Sequence, residues 1–119
     1  MDYLYPAFAE NVEKMSGGRV TIEVYASGEV AAAGAEFDAV QAGMLDIAMC
    51  WPSYHAGSVP AAELEASVCG GLSDTMEVEV LFWKKGWAKI LREAYAPFGL
   101  EYLGPSLCYG GYYLVTRDP

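Results

Sequence analysis

An α/β fold with a mixed, mostly parallel sheet and flanking helices is predicted from three observations. An alternating stretch, 19–25, and a continuous apolar run, 46–51, bracket a short helical pattern with Phe37 and Val40 inward. Strand–helix–strand at that spacing is a βαβ unit, which requires a parallel pair and a right-handed crossover. Helical periodicity then dominates the stretch from about 74 to 96, as it does the first fifteen residues.

Each element has a local cause. Leu4, Phe8, Val12 and Met15 are spaced four, four and three apart, so they share one helix face. Ser16-Gly17-Gly18 ends that helix, because glycine accepts the left-handed conformation past a helix end. Val20, Ile22 and Val24 then alternate with Thr21 and Glu23, the pattern of a strand with one buried face. Ala26-Ser27-Gly28 is a turn, and Gly43 closes the second helix. Residues 52–72 are irregular, with one helical turn at Ala61–Ala66. Ser73 or Asp74 caps a long helix reaching Ala96, and Glu77 completes a capping-box arrangement with Asp74. Its apolar stripe is read as Val80, Trp83, Trp87, Ile90, Leu91 and Ala94, with Gly86 weakening it by about 1 kcal/mol relative to alanine. Pro97 and Gly99 stop it, and Leu100–Leu103 and Tyr109–Val115 read as strands. The expected order is α-β-α-β-α-β-β in a single domain, 1–119.

Composition excludes several functions. Apolar residues make up 54% of the 119 positions and charged residues 19%, enough to fill one core. No apolar run approaches the length of a membrane span. Sixteen acidic and seven scattered basic residues give a net charge of −9, which cannot build a phosphate-tracking stripe, so no nucleic-acid partner is expected. Cys50, Cys69 and Cys108 form no C-x-x-C pair and read as buried free thiols. His55, the sole histidine, has no accompanying nucleophile motif and reads as a loop or rim residue. Neither a metal nor another cofactor is expected, because one histidine and dispersed cysteines give no ligand spacing. Glu63 and Glu65 read as solvated charge, and Gly70-Gly71 lacks the lysine of a phosphate loop.

Four phrases follow one another along the chain: Phe8 through Val20 running on to Tyr25, Gly28 and Glu29; Phe37-Asp38-Ala39-Val40-Gln41-Ala42-Gly43-Met44-Leu45-Asp46-Ile47-Ala48; Trp51-Pro52-Ser53-Tyr54; and Tyr95-Ala96-Pro97-Phe98-Gly99-Leu100. In this order they resemble the extracytoplasmic solute-binding subunits of TRAP transporters, of the dicarboxylate and 2-oxo-acid type. The resemblance implies a partial periplasmic-binding-protein type II-like fold, in which 1–119 is the first lobe and ends near the inter-lobe hinge. It implies a transport receptor and not an enzyme, with a small carboxylate as ligand and TRAP permease subunits as partners. The arginine that pairs with the ligand carboxylate in that family is expected beyond Pro119, and Arg117 does not occupy its motif. The isolated chain is therefore expected to bind such acids weakly.

Trp51 and Tyr54 follow the C-terminal end of an expected strand, the edge that faces the ligand crevice in open α/β sheets. With Tyr109 and Tyr112, which flank Gly110-Gly111, they form the candidate ligand-binding set. Packing in the core or in an oligomer contact is the competing reading for these aromatics. For the whole chain the alternative is a stand-alone oligomeric interaction domain that has lost ligand transport. Open sheet edges and uncovered apolar surface point to a homodimer or higher homo-oligomer. The family resemblance implies a periplasmic location, whereas a native start at Met1, without a signal peptide, implies the cytoplasm.

Overall fold

The computed structural model describes residues 4–66 and 74–105. The backbone forms two compact units, Met1–Ala32 and Ala33–Pro119.

The first unit is built on α1 (Leu4–Ser16). Gly17 and Gly18 both adopt positive φ, 65° and 78°, and close the helix as expected. The Gly18 amide donates to Glu13 O at 2.9 Å and the Gly17 amide to Lys14 O at 3.2 Å. Ser16 adds to the stop: its hydroxyl donates to Glu13 O and accepts from the Val20 amide, each at 3.0 Å. A turn follows at 26–29, where the Glu29 amide donates to Ala26 O at 3.1 Å.

The second unit carries α2 (Glu36–Gln41), a 3-10 turn at Pro52–His55, α3 (Ala62–Ala66), α4 (Thr75–Lys84), α5 (Trp87–Tyr95) and a second 3-10 turn at Ala96–Phe98. Its core joins Phe37 of α2, Val59, Ala62 of α3, Val78 and Phe82 of α4, and Leu91 and Tyr95 of α5 with Tyr102. Asp74 caps α4 as expected, its Oδ1 accepting from the Glu77 amide at 3.0 Å. Beyond α5, Arg92 holds the chain back along the helix. Its Nε donates to Tyr102 O at 3.1 Å and lies 3.0 Å from the Glu101 carboxylate.

Two expectations are corrected, and the sheet stays an expectation. The single helix from 74 to 96 is two helices, broken at Gly86, which stands at φ 90°. Its carbonyl starts α5 by accepting from the Lys89 and Ile90 amides at 3.1 and 3.2 Å. The break resets the helical phase, so the expected stripe is wrong on α4. Val78 and Phe82 point inward, while Val80 and Trp83 are 43% and 47% exposed; on α5 Leu91 is buried as expected but Ile90 is 52% exposed.

Among the described residues, 20–25, 47–51 and 100–103 form no strand, so the expected sheet is not shown here. Alternation marks a surface fit for a ladder, but the ladder itself needs a partner that local pattern cannot supply. Val20, Val24 and Ile47, the residues expected to face a core, are 48%, 42% and 53% exposed. The expected strand Tyr109–Val115, together with Cys69 and Cys108, lies outside the described residues.

The second correction is that His55 is not a rim residue and Glu65 is not a solvated charge. His55 is 7% exposed in the core of the second unit, and Glu65 is half-buried, whereas Glu63 is exposed as expected. Both corrected residues take partners from far along the chain.

Candidate functional site

The Trp51–His55 segment is shaped by its own sequence. Trp51 is extended, at φ −75° and ψ 121°, as the residue before proline is disposed to be. Pro52 presets the first position of the 3-10 turn, and the Tyr54 amide donates to Trp51 O at 3.0 Å. Pro52 and His55 point inward and are buried, Trp51 is half-buried, and Tyr54 is 64% exposed. Gly34, at φ 89°, lies against the Tyr54 ring; a Cβ there would stand 3.6 Å from Cδ2 and Cγ. Of the four aromatics expected at a ligand site, the structure thus brings Trp51 and Tyr54 together on one turn. Tyr109 and Tyr112 lie outside the described residues.

Beneath the turn is a polar cluster that local sequence patterns do not signal. His55 Nε2 lies 2.5 Å from the Tyr95 hydroxyl, and its Nδ1 lies 3.8 Å from Cys50 Sγ. Phe37 stacks on the imidazole at 4.8 Å between centroids, with the planes 13° apart. Tyr95 stacks in turn on Tyr102 at 5.7 Å, and the Tyr102 hydroxyl donates to Glu65 Oε1 at 2.9 Å. Five polar side chains thus share one aromatic layer.

Burial sets the protonation states in this layer. It pushes the Glu65 carboxyl up to about 7, against the opposing effect of the Tyr102 hydrogen bond. It pushes the Cys50 thiol up to about 11, helped by the carboxylates of Glu36 and Glu65, so the sulfur stays a protonated thiol at neutral pH. It pulls His55 below its ordinary value, although Asp38 and Glu36 favour the charged ring. Both tyrosines are raised. A neutral histidine, a protonated thiol and a proton-sharing carboxyl make a set suited to holding a shape rather than to attacking a substrate. Among the described residues, no group of three or more His, Cys, Asp or Glu side chains is arranged to hold a metal ion. None of their helices is long and apolar enough to cross a membrane.

The exposed Tyr54 ring, with Trp51 beside it in sequence, offers an apolar surface carrying a hydroxyl, the type of wall that small polar organic ligands use.

Residues 4–113 match the family model described as bacterial extracellular solute-binding protein, family 7. Among solved structures, the chain is similar to a TRAP periplasmic solute binding protein from Rhodobacter sphaeroides in an apo, open structure. That match has a TM-score of 0.77 and 32% identity, and it covers 85% of this chain and 32% of the relative. The chain therefore spans about a third of that protein's length.

Proposed function

We propose that this chain, which belongs to the bacterial extracellular solute-binding proteins of family 7, forms one lobe of the solute receptor of a TRAP-type transporter. The family comprises extracytoplasmic transport receptors and not enzymes. The observation that carries the reading is the match over residues 4–113, to which the Rhodobacter sphaeroides structure adds 32% identity. Coverage of 32% of that relative supports a part of such a receptor; that residues 1–119 are its first lobe, ending near a hinge, is a proposal that rests on the family resemblance of the sequence. Within that lobe, family membership and the alternation of side chains support 20–24 and 47–51 as the parallel strands of a sheet. The alternative, a stand-alone interaction domain, finds no support in the comparisons.

The proposed ligand is a small carboxylate, and the proposed partner is a membrane permease that receives it. Trp51 and Tyr54 are the proposed ligand wall, with Tyr109 and Tyr112 as further contacts. Support for the first two comes from the exposure of Tyr54, 64%, on a turn that also positions Trp51. Self-association is a finer proposal. It is supported by Met76, Val80 and Trp83, which fall on one side of α4 and are 68%, 43% and 47% exposed. Light scattering checks it, a clean 12.9 kDa particle at micromolar concentration counting against it.

The ligand reading is tested by nuclear magnetic resonance titration of the chain with succinate and pyruvate. Saturable shifts at the Trp51 indole N–H and the Tyr54 ring, weaker than micromolar and lost in Tyr54→Ala, are expected. Micromolar affinity would overturn the view that a single lobe holds an incomplete site. The absence of any shift at both residues, with shifts elsewhere, would remove them from the ligand wall.

A further inference from the structure

We propose that His55 is the positioning residue of the Trp51–Tyr54 turn, its imidazole clasping the turn at both ends and fixing it to α5. The functional side of this proposal rests on the reading of Trp51 and Tyr54 as ligand wall. The clasp itself stands on geometry.

The residue entering the turn and the residue closing it meet at one ring. Cys50 precedes Trp51 and brings Sγ to 3.8 Å from Nδ1; His55 ends the turn and brings Nε2 to 2.5 Å from the Tyr95 hydroxyl on α5. The ring's remaining freedom is taken by packing. Phe37 of α2 covers one face at 4.8 Å, and Tyr95 meets the imidazole at 5.6 Å with the planes 64° apart. The backbone on the far side is tied to the same residue, since His55 O accepts from the Ser58 and Val59 amides at 3.0 and 2.9 Å. A four-residue 3-10 turn has poor internal hydrogen-bond geometry, so its shape depends on such outside anchors. Trp51 and Tyr54 lie between the two contacts and inherit their placement from them.

Protonation acts on this clasp. The groups facing the imidazole are Cys50, the Tyr95 hydroxyl, and the Glu36 and Asp38 carboxylates of α2. A neutral ring offers one donor and one acceptor, which the hydroxyl and the thiol can both match. A charged ring donates from both nitrogens, and sulfur is only a weak acceptor. Burial, which outweighs the two carboxylates, keeps the ring neutral. Acid therefore loosens the turn from its Cys50 end.

Hydrogen–deuterium exchange of the full chain tests the clasp without any ligand. Wild type, Tyr95→Phe, Cys50→Ala and His55→Gln are compared, with intrinsic pH effects removed. Tyr95→Phe is expected to speed exchange at 52–59 about fivefold, the loss of one net hydrogen bond, with α4 unchanged. Wild-type exchange at 52–59 is expected to accelerate as pH falls from 7 to 5, and His55→Gln to show no such dependence. Turn exchange equal to wild type in both Tyr95→Phe and Cys50→Ala would overturn the proposal. So would equal acceleration in the turn and α4, which would mean general loosening. If Tyr95→Phe does not fold, Cys50→Ala decides alone. Succinate-induced shifts at Tyr54, read on the same samples, judge the ligand wall: their absence from wild type removes that reading and leaves the clasp to the exchange data.

Discussion

The Tyr102 hydroxyl donates to Glu65 Oε1 at 2.9 Å, joining α3 to a residue beyond α5 and 37 positions later in sequence. Glu65 belongs to the same buried layer as His55, and the two answer pH in opposite directions.

Glu65 binds its proton more tightly folded than unfolded, about 7 against an ordinary 4.5. Its contribution is fully present below pH 4.5 and is lost as pH rises through about 7. Glu65→Gln removes the titration. Relative to wild type the variant is expected to gain stability between pH 4.5 and 7.5, on the order of 2 kcal/mol once partial solvent screening of the carboxyl is allowed for. Urea unfolding across that range checks this. A constant difference would mean that Glu65 is ionised in the folded chain throughout.

His55 acts with the opposite sign. Its folded value lies below the ordinary 6.5, so the unfolded chain takes up the proton first. Stability is present above pH 6.5 and is lost as pH falls from there toward the folded value. His55→Gln is expected to gain on wild type below pH 6.5 and to run parallel to it above. The same urea series reads it, and a gain that appears only above pH 7 would reverse the assignment.

Gly86 distinguishes the local reading from the structure. Inside one continuous helix, Gly86→Ala would stabilise the chain by about 1 kcal/mol. At φ 90°, between α4 and α5, the same change is expected to cost about 1 kcal/mol. Apart from the flanking residues, no atom lies within 4 Å of a Cβ built there, so the cost is that of the left-handed backbone alone. Thermal unfolding decides by sign: a raised midpoint would support an unbroken helix.

What was legible in the sequence was local. The span of α1, its Ser16-Gly17-Gly18 stop, the inward Phe37 and the Asp74 cap each depend on neighbours a few residues away. Gly86 was visible, but its left-handed role was not, because a helix interior and a helix junction show the same letter. The phase of α4 was lost with it, since the stripe on α5 was carried across the break. His55 and Glu65 were missed for a different reason. Their partners, Tyr95 and Tyr102, stand 40 and 37 positions downstream, and no spacing rule connects them. The strands fall between these cases, as alternation was visible but pairing was not. Trp51 and Tyr54 were named through order and resemblance, while the buried layer beneath their turn had no signal of either kind.

Tyr102→Phe tests the layer at its Glu65 contact. The substitution keeps the ring that stacks on Tyr95 at 5.7 Å and on Phe82 at 6.4 Å, so the aromatic layer survives. Only the donor to Glu65 is removed. That hydrogen bond favours the charged carboxylate and opposes the effect of burial. Without it the folded carboxyl holds its proton to higher pH, beyond about 7, and the pH range over which stability declines extends upward. Near pH 5 the variant is expected to lose about 1 kcal/mol, the net value of one hydrogen bond. At pH 8 the loss is expected to be larger, because the carboxylate then ionises with no hydroxyl to receive it. Urea unfolding at the two pH values separates the effects. An equal loss at both would mean that the hydroxyl contributes packing alone, and a smaller loss at pH 8 would mean that Tyr102 favours the protonated acid.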